Sequence, residues 1–596
     1  MSGLLRFTKK RWRIGVLILV SILVCLVFYY PILHSGNNLG IQDWDQNFAW
    51  TEASRVSLLD FHQFPLWNPF KCGGSVQFAN PQIAVISLQT IFALLFGTLS
   101  GIKFSIFFHG VIGFIGFYFL AKQTRLSTLG SLLAAILFSF SGITGSFLST
   151  GMVVFTSFAY TPYILICLNK SFDNKKWGVI CGLLFALSFY AGFHIALLLG
   201  VYILVFVCIT SLVKRTFAPL KALLVTGGTA AFFILPKLAL SFQLLGIFPR
   251  LVNDVSGYSL HNFLYFLLSQ KQNLFNEMNI QGYSYAIDEN SLYVGILSMA
   301  FFLLFFILNI KGVKENIILL LTMLFIFWLM LGNIIQPSLY ALLKHLPVFS
   351  SFRVAQRFRF DFIIPFSLLA GLGLDNAVKL LGQNKLARLL PLGCVLVIYI
   401  DLTIFSSTNF LSKTLIIKDP EARLSRGTAF IQTANNAPDF AIQRTIALPQ
   451  EFLTPVAPGV KGIFDPWSYE YLKIKQDQGV LGCYDSITAS VAAVGSEDAK
   501  YQGEFYLLNL VQGVKVENTF WSPNKLVYII SNPAKASNDT LVINQNYYPG
   551  WIVRTGPITC TRAIKHKGLL AVKLDSSAES ITLEFNPLFL YLHCRY

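Results

Sequence analysis

Residues Leu39–Pro81 read LGIQDWDQNFAWTEASRVSLLDFHQFPLWNPFKCGGSVQFANP. This stretch gathers Asp43, Asp45, Glu52, Asp60 and His62 just after the first strongly apolar run, Ile14 to Tyr30. Acids are scarce overall, with 29 Asp and Glu in 596 residues. Carboxylates collected at the end of an apolar helix mark where ionisable chemistry would sit in such a chain. Within Gln46–His62, Phe48, Val56, Leu59 and, less regularly, Ala53 supply an apolar side. Glu52, Arg55 and Asp60 stay polar, which predicts a short amphipathic helix at a membrane surface. Phe64–Gly74 holds two prolines and two glycines and predicts an irregular turn. Trp67 suits the lipid headgroup level.

Working outward, the chain is 54% hydrophobic and only 13% charged, with 55 phenylalanines. A soluble protein of this length needs far more polar surface, so the class is a polytopic α-helical membrane protein. The formal net charge of +17 is explained by Lys and Arg on cytoplasmic loops. No basic block adjoins an aromatic stacking platform, so nucleic acid is not an expected partner. Cys25, Cys167, Cys181, Cys208 and Cys394 lie in apolar runs, where a thiol acts as a small hydrophobe. Cys72, Cys483, Cys560 and Cys594 fall in polar segments. A disulfide among these four is open, whereas the absence of any CxxC pair argues against zinc.

Lys9, Lys10, Arg11 and Arg13 precede Ile14–Tyr30, and Tyr29, Tyr30 and Pro31 stand where a signal peptide would need small residues. This predicts an uncleaved helix with a cytoplasmic N-terminus. Ile83–Phe96 decides the topology, being roughly 14 residues long against the roughly 17 to 25 that a span needs. If it crossed, Lys122, Arg125, Lys170, Lys175, Lys176, Lys214 and Arg215 would all face outward. The positive-inside rule therefore lays it in the interface. About eleven spans follow by length and hydropathy, including Met152–Leu168 and ending with Leu389–Phe405. The expected division is a transmembrane domain over 1–405, with a first outer loop at 32–82, and an extracytoplasmic β-rich domain over 406–596. Lys525–Ser531, Thr540–Gln545, Leu569–Leu574 and Ser580–Phe585 alternate apolar and polar residues as half-buried strands do, which suggests a sandwich.

Several motifs carry a resemblance. DWDQ (Asp43–Gln46), FPLWNPFKCGG (Phe64–Gly74), FANPQ (Phe78–Gln82), ENSLYVG (Glu289–Gly295), LPVFSSFRVAQRFRF (Leu346–Phe360), LAGLGLD (Leu369–Asp375) and NYYPGW (Asn546–Trp551) occur in order along nearly the whole chain. Together they resemble YfhO-type bacterial membrane proteins of the GT-C glycosyltransferase superfamily. The chain departs from that pattern in having Ala355 where proline is common. It also departs in ending on LFLYLHCRY, too short to span, where another membrane helix often follows. The resemblance implies a GT-C-like fold in the cell membrane and a sugar carried on a polyprenyl phosphate. It also implies an extracytoplasmic glycan, lipid or protein acceptor, and an acid of the first outer loop acting at that acceptor, here Asp43 or Asp45.

Such a transfer needs a base for the acceptor hydroxyl and stabilisation of the departing phosphate. Asp43 or Asp45 could be the base, or the pair could simply cap the helix that follows. DWD could also hold a divalent cation, Mg or Mn, on oxygen ligands. Arg353 and Arg357, four apart, with Arg359 nearby, suit phosphate because a guanidinium binds two oxygens at once. Snorkelling to headgroups is their alternative. Glu52, His62, His194 and Glu289 complete the expected substrate-binding set, and Asp288 stands beside the last of them. Gly110, Gly113 and Gly116 predict close helix packing. A lipid-sugar flippase, prompted by Lys237 inside a span, and a non-catalytic envelope-glycan assembly partner are the competing functions.

Overall fold

The computed structural model describes residues 2–40, 43–247, 257–272, 287–308, 310–346, 348–352, 354–380, 385–415, 429–433, 470–481, 491–509, 512–555, 559–576 and 579–587. The chain is a polytopic α-helical membrane protein with a β-rich C-terminal region. Among the described residues, six helices are long and apolar enough to cross a bilayer. They are Thr98–Gln123, Thr128–Ser149, Phe193–Lys214, Ala218–Ile247, Ala355–Leu380 and Leu389–Lys413. Trp12–Phe28, Ile296–Leu308 and Ile317–Met330 are shorter apolar helices.

Some stretches expected to run straight are broken. Met152–Leu168 becomes a 3-10 segment, Val153–Tyr160, followed by a helix at Thr161–Ser171 that starts on Pro162. Proline is tolerated in a first helical turn, where its missing N–H is not needed. The segment expected in the interface contains only the helix Leu88–Phe96, of nine residues. That length covers about 13 Å, too little to cross. The glycine-rich face of Thr98–Gln123 packs closely. A Cβ on Gly110 would come 2.3 Å from the Tyr29 ring, and one on Gly116 would come 2.6 Å from Tyr163.

The β-rich region is a sandwich. One sheet runs Thr559–Arg562, Trp551–Thr555, Ser580–Phe585, Lys525–Ser531, Lys515–Ser522 in spatial order. The other runs Ile564–His566, Leu569–Lys573, Thr540–Asn546, Phe505–Leu507. All four strands expected from alternation are present. Their inward residues, among them Leu526, Tyr528, Ile543, Leu570, Ile581 and Leu583, share one buried core. Tyr548 and Trp551 are buried in it as well.

That core also takes in the first loop. Trp67 is 2% exposed, donates from Nε1 to Gln545 Oε1 at 2.9 Å, and packs on Phe585 and Trp551 with ring centroids 4.9 and 5.6 Å away. The headgroup position expected for Trp67 is therefore corrected. Its indole N–H finds a buried amide partner, so the ring can leave the interface altogether. Gly73 N–H donates to Val480 O at 3.0 Å, Asn546 Nδ2 donates to Cys72 O, and Cys72 is disulfide-bonded. Cys25, Cys167, Cys181, Cys208 and Cys394 are free thiols.

The helix of the first loop is Asp43–Leu59, and Trp44 through Ala53 are all buried, with Ser54, Val56 and Ser57. The expected amphipathic surface helix is thus corrected to a helix buried along most of its length, with Leu59 exposed at its end. Its apolar residues face the membrane helices, and its polar side is covered by the helix Glu470–Lys475 of the C-terminal region. Lys237, buried in Ala218–Ile247, donates from Nζ to Ile83 O at 2.6 Å, and Ser241 Oγ donates to Ala79 O at 2.8 Å. The charge that prompted a flippase reading therefore anchors the loop to a membrane helix.

Candidate active site at the head of the first-loop helix

Asp43 opens the first-loop helix, and the next turn fixes where it stands. Trp44 Nε1 donates to Leu148 O at 3.0 Å, and Asn47 Nδ2 donates to Gly151 O at 2.8 Å. Both acceptors lie at the end of the helix Gly142–Ser149 or in the turn after it. Gly151 has φ +85°, and a Cβ there would lie 2.2 Å from Trp44 N. Only glycine lets these two backbones meet. Thr150, on the same turn, donates from Oγ1 to Asp288 Oδ2 at 3.4 Å.

Asp288 and Glu289 end the short 3-10 turn Ile287–Glu289 and are both buried. Arg357 grips Glu289 with two donors, Nε to Oε2 at 3.0 Å and Nη2 to Oε1. Its guanidinium carbon lies 5.2 Å from the Phe155 ring centre. Paired geometry of this kind is the strong form of a charge-assisted hydrogen bond. Arg359 is 0% exposed and donates from Nη2 to the main-chain oxygen of Asp288 at 2.6 Å and to Ser146 Oγ at 3.5 Å. Its Nε and Nη1 and the Asp288 Oδ1 atom are buried without a hydrogen-bond partner.

The Asp288 carboxyl is pushed up to about 7, chiefly by burial and then by the neighbouring Glu289 and by Asp43, with Arg359 pulling the other way. Asp43 is therefore close enough for its charge to be felt at Asp288. Two acids near one another with unlike environments, beside two guanidinium groups, make a site that can move a proton and hold an anion.

His194 starts the helix Phe193–Lys214 and reaches the rim of this site. Its ring lies 5.7 Å from both Phe155 and Phe352, so Phe155 stands between it and Arg357. Arg353 lies outside the described residues.

Other expected residues point elsewhere. Asp45 accepts the backbone N–H of Glu470 at 2.8 Å and of Tyr471 at 3.2 Å. Its carboxyl is raised well above the usual carboxylate range by burial and by Glu470, against the backbone hydrogen bond and Lys71. Lys71 pairs with Glu470 at 3.3 Å, both being buried. Glu52 is buried, accepts from Thr98 Oγ1, and pairs with Arg55 and Lys475 at 3.3 Å each. His62 is exposed at φ +51°, with a 17-residue helix between it and Asp43, a separation of about 25 Å.

The donor set does not fit the Mg or Mn ion expected on DWD. Both Asp45 oxygens face backbone N–H groups, and among the described residues no group of three or more His, Cys, Asp or Glu could hold a metal. Sequence reasoning missed Thr150, Ser146, Lys71, Glu470 and Lys475. None sits in a chemically distinctive pattern, and Glu470 meets Asp45 across 425 positions.

No protein-family model matches the sequence, and no curated protein does. Solved structures similar in shape include an archaeal oligosaccharyltransferase, seen in two structures, and ArnT. The chain is 13% identical to the archaeal oligosaccharyltransferase AglB from Archaeoglobus fulgidus in complex with an inhibitory peptide and a dolichol-phosphate, with TM-score 0.46 over 79% of this chain and 64% of that one. A second Archaeoglobus fulgidus oligosaccharyltransferase structure, with Zn and sulfate, gives 14% identity and TM-score 0.44 over 78% and 62%. ArnT from Cupriavidus metallidurans bound to undecaprenyl phosphate gives 12% identity and TM-score 0.45 over 73% and 88%. The chain thus spans somewhat under two thirds of the two oligosaccharyltransferase chains it matches.

Proposed function

We propose that this protein is a membrane glycosyltransferase that moves a sugar from a polyprenyl-phosphate carrier to an extracytoplasmic acceptor. The observation that carries the reading is the pairing of Glu289 with Arg357 and of the Asp288 turn with Arg359 at the start of a membrane helix, within reach of the Asp43 charge. Asp43 takes the proton of the acceptor hydroxyl as it attacks the sugar. Arg357 is the guanidinium with side-chain exposure left, 12%. It meets the lipid phosphate, while Arg359 holds the Asp288 turn from behind. Desolvation strengthens these contacts, because a buried site has a lower effective dielectric than water.

The cell membrane is the proposed location, with the first loop and the sandwich outside. The disulfide at Cys72 supports that orientation, since disulfides persist in oxidising compartments. The test is transfer of radiolabelled sugar in proteoliposomes from undecaprenyl phosphate and dolichol phosphate carriers. Wild type should release the carrier phosphate and label an acceptor. Asp43→Asn should lose transfer while still inserting and folding. Full transfer by Asp43→Asn would remove the proposed base. Sugar-lipid exchange across the bilayer without any transfer would favour a flippase instead.

A further inference from the structure

Asp288 and Glu289 are chain neighbours with opposite surroundings. Glu289 is bound through both oxygens by Arg357. Asp288 is 4% exposed, its Oδ1 has no hydrogen-bond partner, and its Oδ2 meets Thr150 Oγ1 at 3.4 Å. Arg359 donates to the Asp288 main-chain oxygen rather than to the carboxyl. Thr150 lies on the turn that also seats the head of the first-loop helix. Asp288 is therefore a buried carboxyl with no bound counter-ion among the described residues, held by Thr150 and within reach of the Asp43 charge. An ionised carboxylate in that position is costly and would repel a phosphate.

We propose that Asp288 is a second catalytic carboxyl, which acts in its neutral form and gives its proton to the phosphate oxygen leaving the sugar. The assignment rests on the transfer reading above. In the step, the acceptor oxygen forms its bond to the anomeric carbon as its proton passes to Asp43. The bond from that carbon to the phosphate oxygen breaks, its electron pair stays on the phosphate, and the Asp288 proton moves to the same oxygen. Asp43 ends neutral and Asp288 ionised, and one proton passed from Asp43 to Asp288 restores the site.

The charges around Asp288 favour this arrangement. Glu289 on its own turn and Asp43 on the first-loop helix push it toward the neutral form. Arg359 and Arg357 oppose them, and burial outweighs both to leave the carboxyl near 7. A phosphate monoester takes up its second proton near about 6. Donor and acceptor are thus closely matched, the condition under which a general acid is effective. A carboxylic acid kept neutral by its surroundings so that it can donate is a known catalytic device.

The test uses the full chain and Asp288→Asn, with undecaprenyl phosphate as the binding probe. The infrared difference between wild type and the variant, in which the Asp45 and Glu504 carboxyls cancel, should show one neutral buried carboxyl at pH 6 that weakens by pH 8. Asp288→Asn should still bind undecaprenyl phosphate at pH 6, because its amide is neutral and donates a hydrogen bond. Transfer should fall roughly 10²–10⁴-fold, and the wild-type loss of activity as pH rises through 7 should vanish from what is left. If Asp288→Asn transfers within threefold of wild type, or the infrared difference between the two proteins holds no such band, the assignment is wrong. A variant that fails to fold is replaced by Asp288→Glu, which keeps the acid and should retain the alkaline loss; a flat profile there also overturns it. If wild type binds the lipid yet transfers nothing, the transfer reading falls and takes this assignment with it. If wild type transfers and Asp288→Asn keeps pace, only this assignment falls.

Discussion

Asp45 accepts the backbone N–H of Glu470 at 2.8 Å, joining the first-loop helix to a segment 425 positions further along the chain. The two aspartates of DWD therefore do different things. Asp45→Asn puts an amide NH₂ against a backbone donor and leaves one N–H unsatisfied, at a cost of about 1–3 kcal/mol. The expected outcome is a lower unfolding temperature in detergent with partial transfer retained. Asp43→Asn should show the reverse, with normal melting and no transfer. Equal melting points for both variants would contradict this division.

Arg357 and Glu289 form a largely buried pair. Arg357→Ala leaves a buried carboxylate alone, which destabilises by roughly 3–5 kcal/mol. Arg357→Lys keeps the charge and loses the two-donor fork. It should fold nearly as well and raise KM for the lipid donor by about tenfold, the equivalent of about 1.4 kcal/mol. Steady-state kinetics over a range of donor concentrations checks this. An unchanged KM would mean that Arg357 serves only Glu289.

Trp67 belongs to the sandwich core although it lies in the first loop. Trp67→Ala should cost about 3–5 kcal/mol and leave Gln545 Oε1 without its donor. Limited proteolysis is the readout, with cleavage rising in both the loop and the C-terminal strands. Cleavage confined to the loop would show that the two fold separately.

Glu504 is pushed up to about 7, chiefly by burial, against hydrogen bonds from Gln432, Tyr501 and Asn544. The folded state therefore holds this proton more tightly than the unfolded chain does. Its contribution to stability is fully present below the ordinary glutamate value and is lost as pH rises through 7. Wild type should melt higher at pH 5 than at pH 8, and Glu504→Gln should narrow that difference. A difference of the same size in the variant would locate the effect in other buried acids.

Much of the architecture was legible from hydropathy and alternation. The helices Thr98–Gln123 and Phe193–Lys214 and the strands Lys525–Ser531 and Ser580–Phe585 stand where the pattern puts them, since each is decided by its own residues. Contacts between distant segments were not legible. The interface placements of Trp67 and of the first-loop helix followed from assuming that an aromatic or amphipathic segment beside a membrane helix must face lipid. In the folded chain the sandwich takes Trp67 into its core, and the helix Glu470–Lys475 covers the polar side of the first-loop helix. The site was legible in part. Glu289, Arg357 and Arg359 were marked by residue type and meet around the Asp288 turn, within reach of the Asp43 charge, whereas Asp45, Glu52 and His62 share that composition and are used elsewhere or lie apart. Residue type announces ionisable chemistry, but only the packing of Gly151 on Trp44 and of Arg359 on Asp288 says which carboxylates meet.

The bond from Trp67 to Gln545 spans 478 positions, and this has a consequence for how the protein is made. At roughly 5–20 residues per second, a ribosome needs about half a minute to a minute and a half to cover that distance. With the first loop outside, as proposed, it has throughout that interval an aromatic side chain with nowhere to dock and a cysteine exposed to premature oxidation. On that orientation, biogenesis should depend on envelope chaperones and thiol oxidoreductases that guard the hairpin until the last strands emerge.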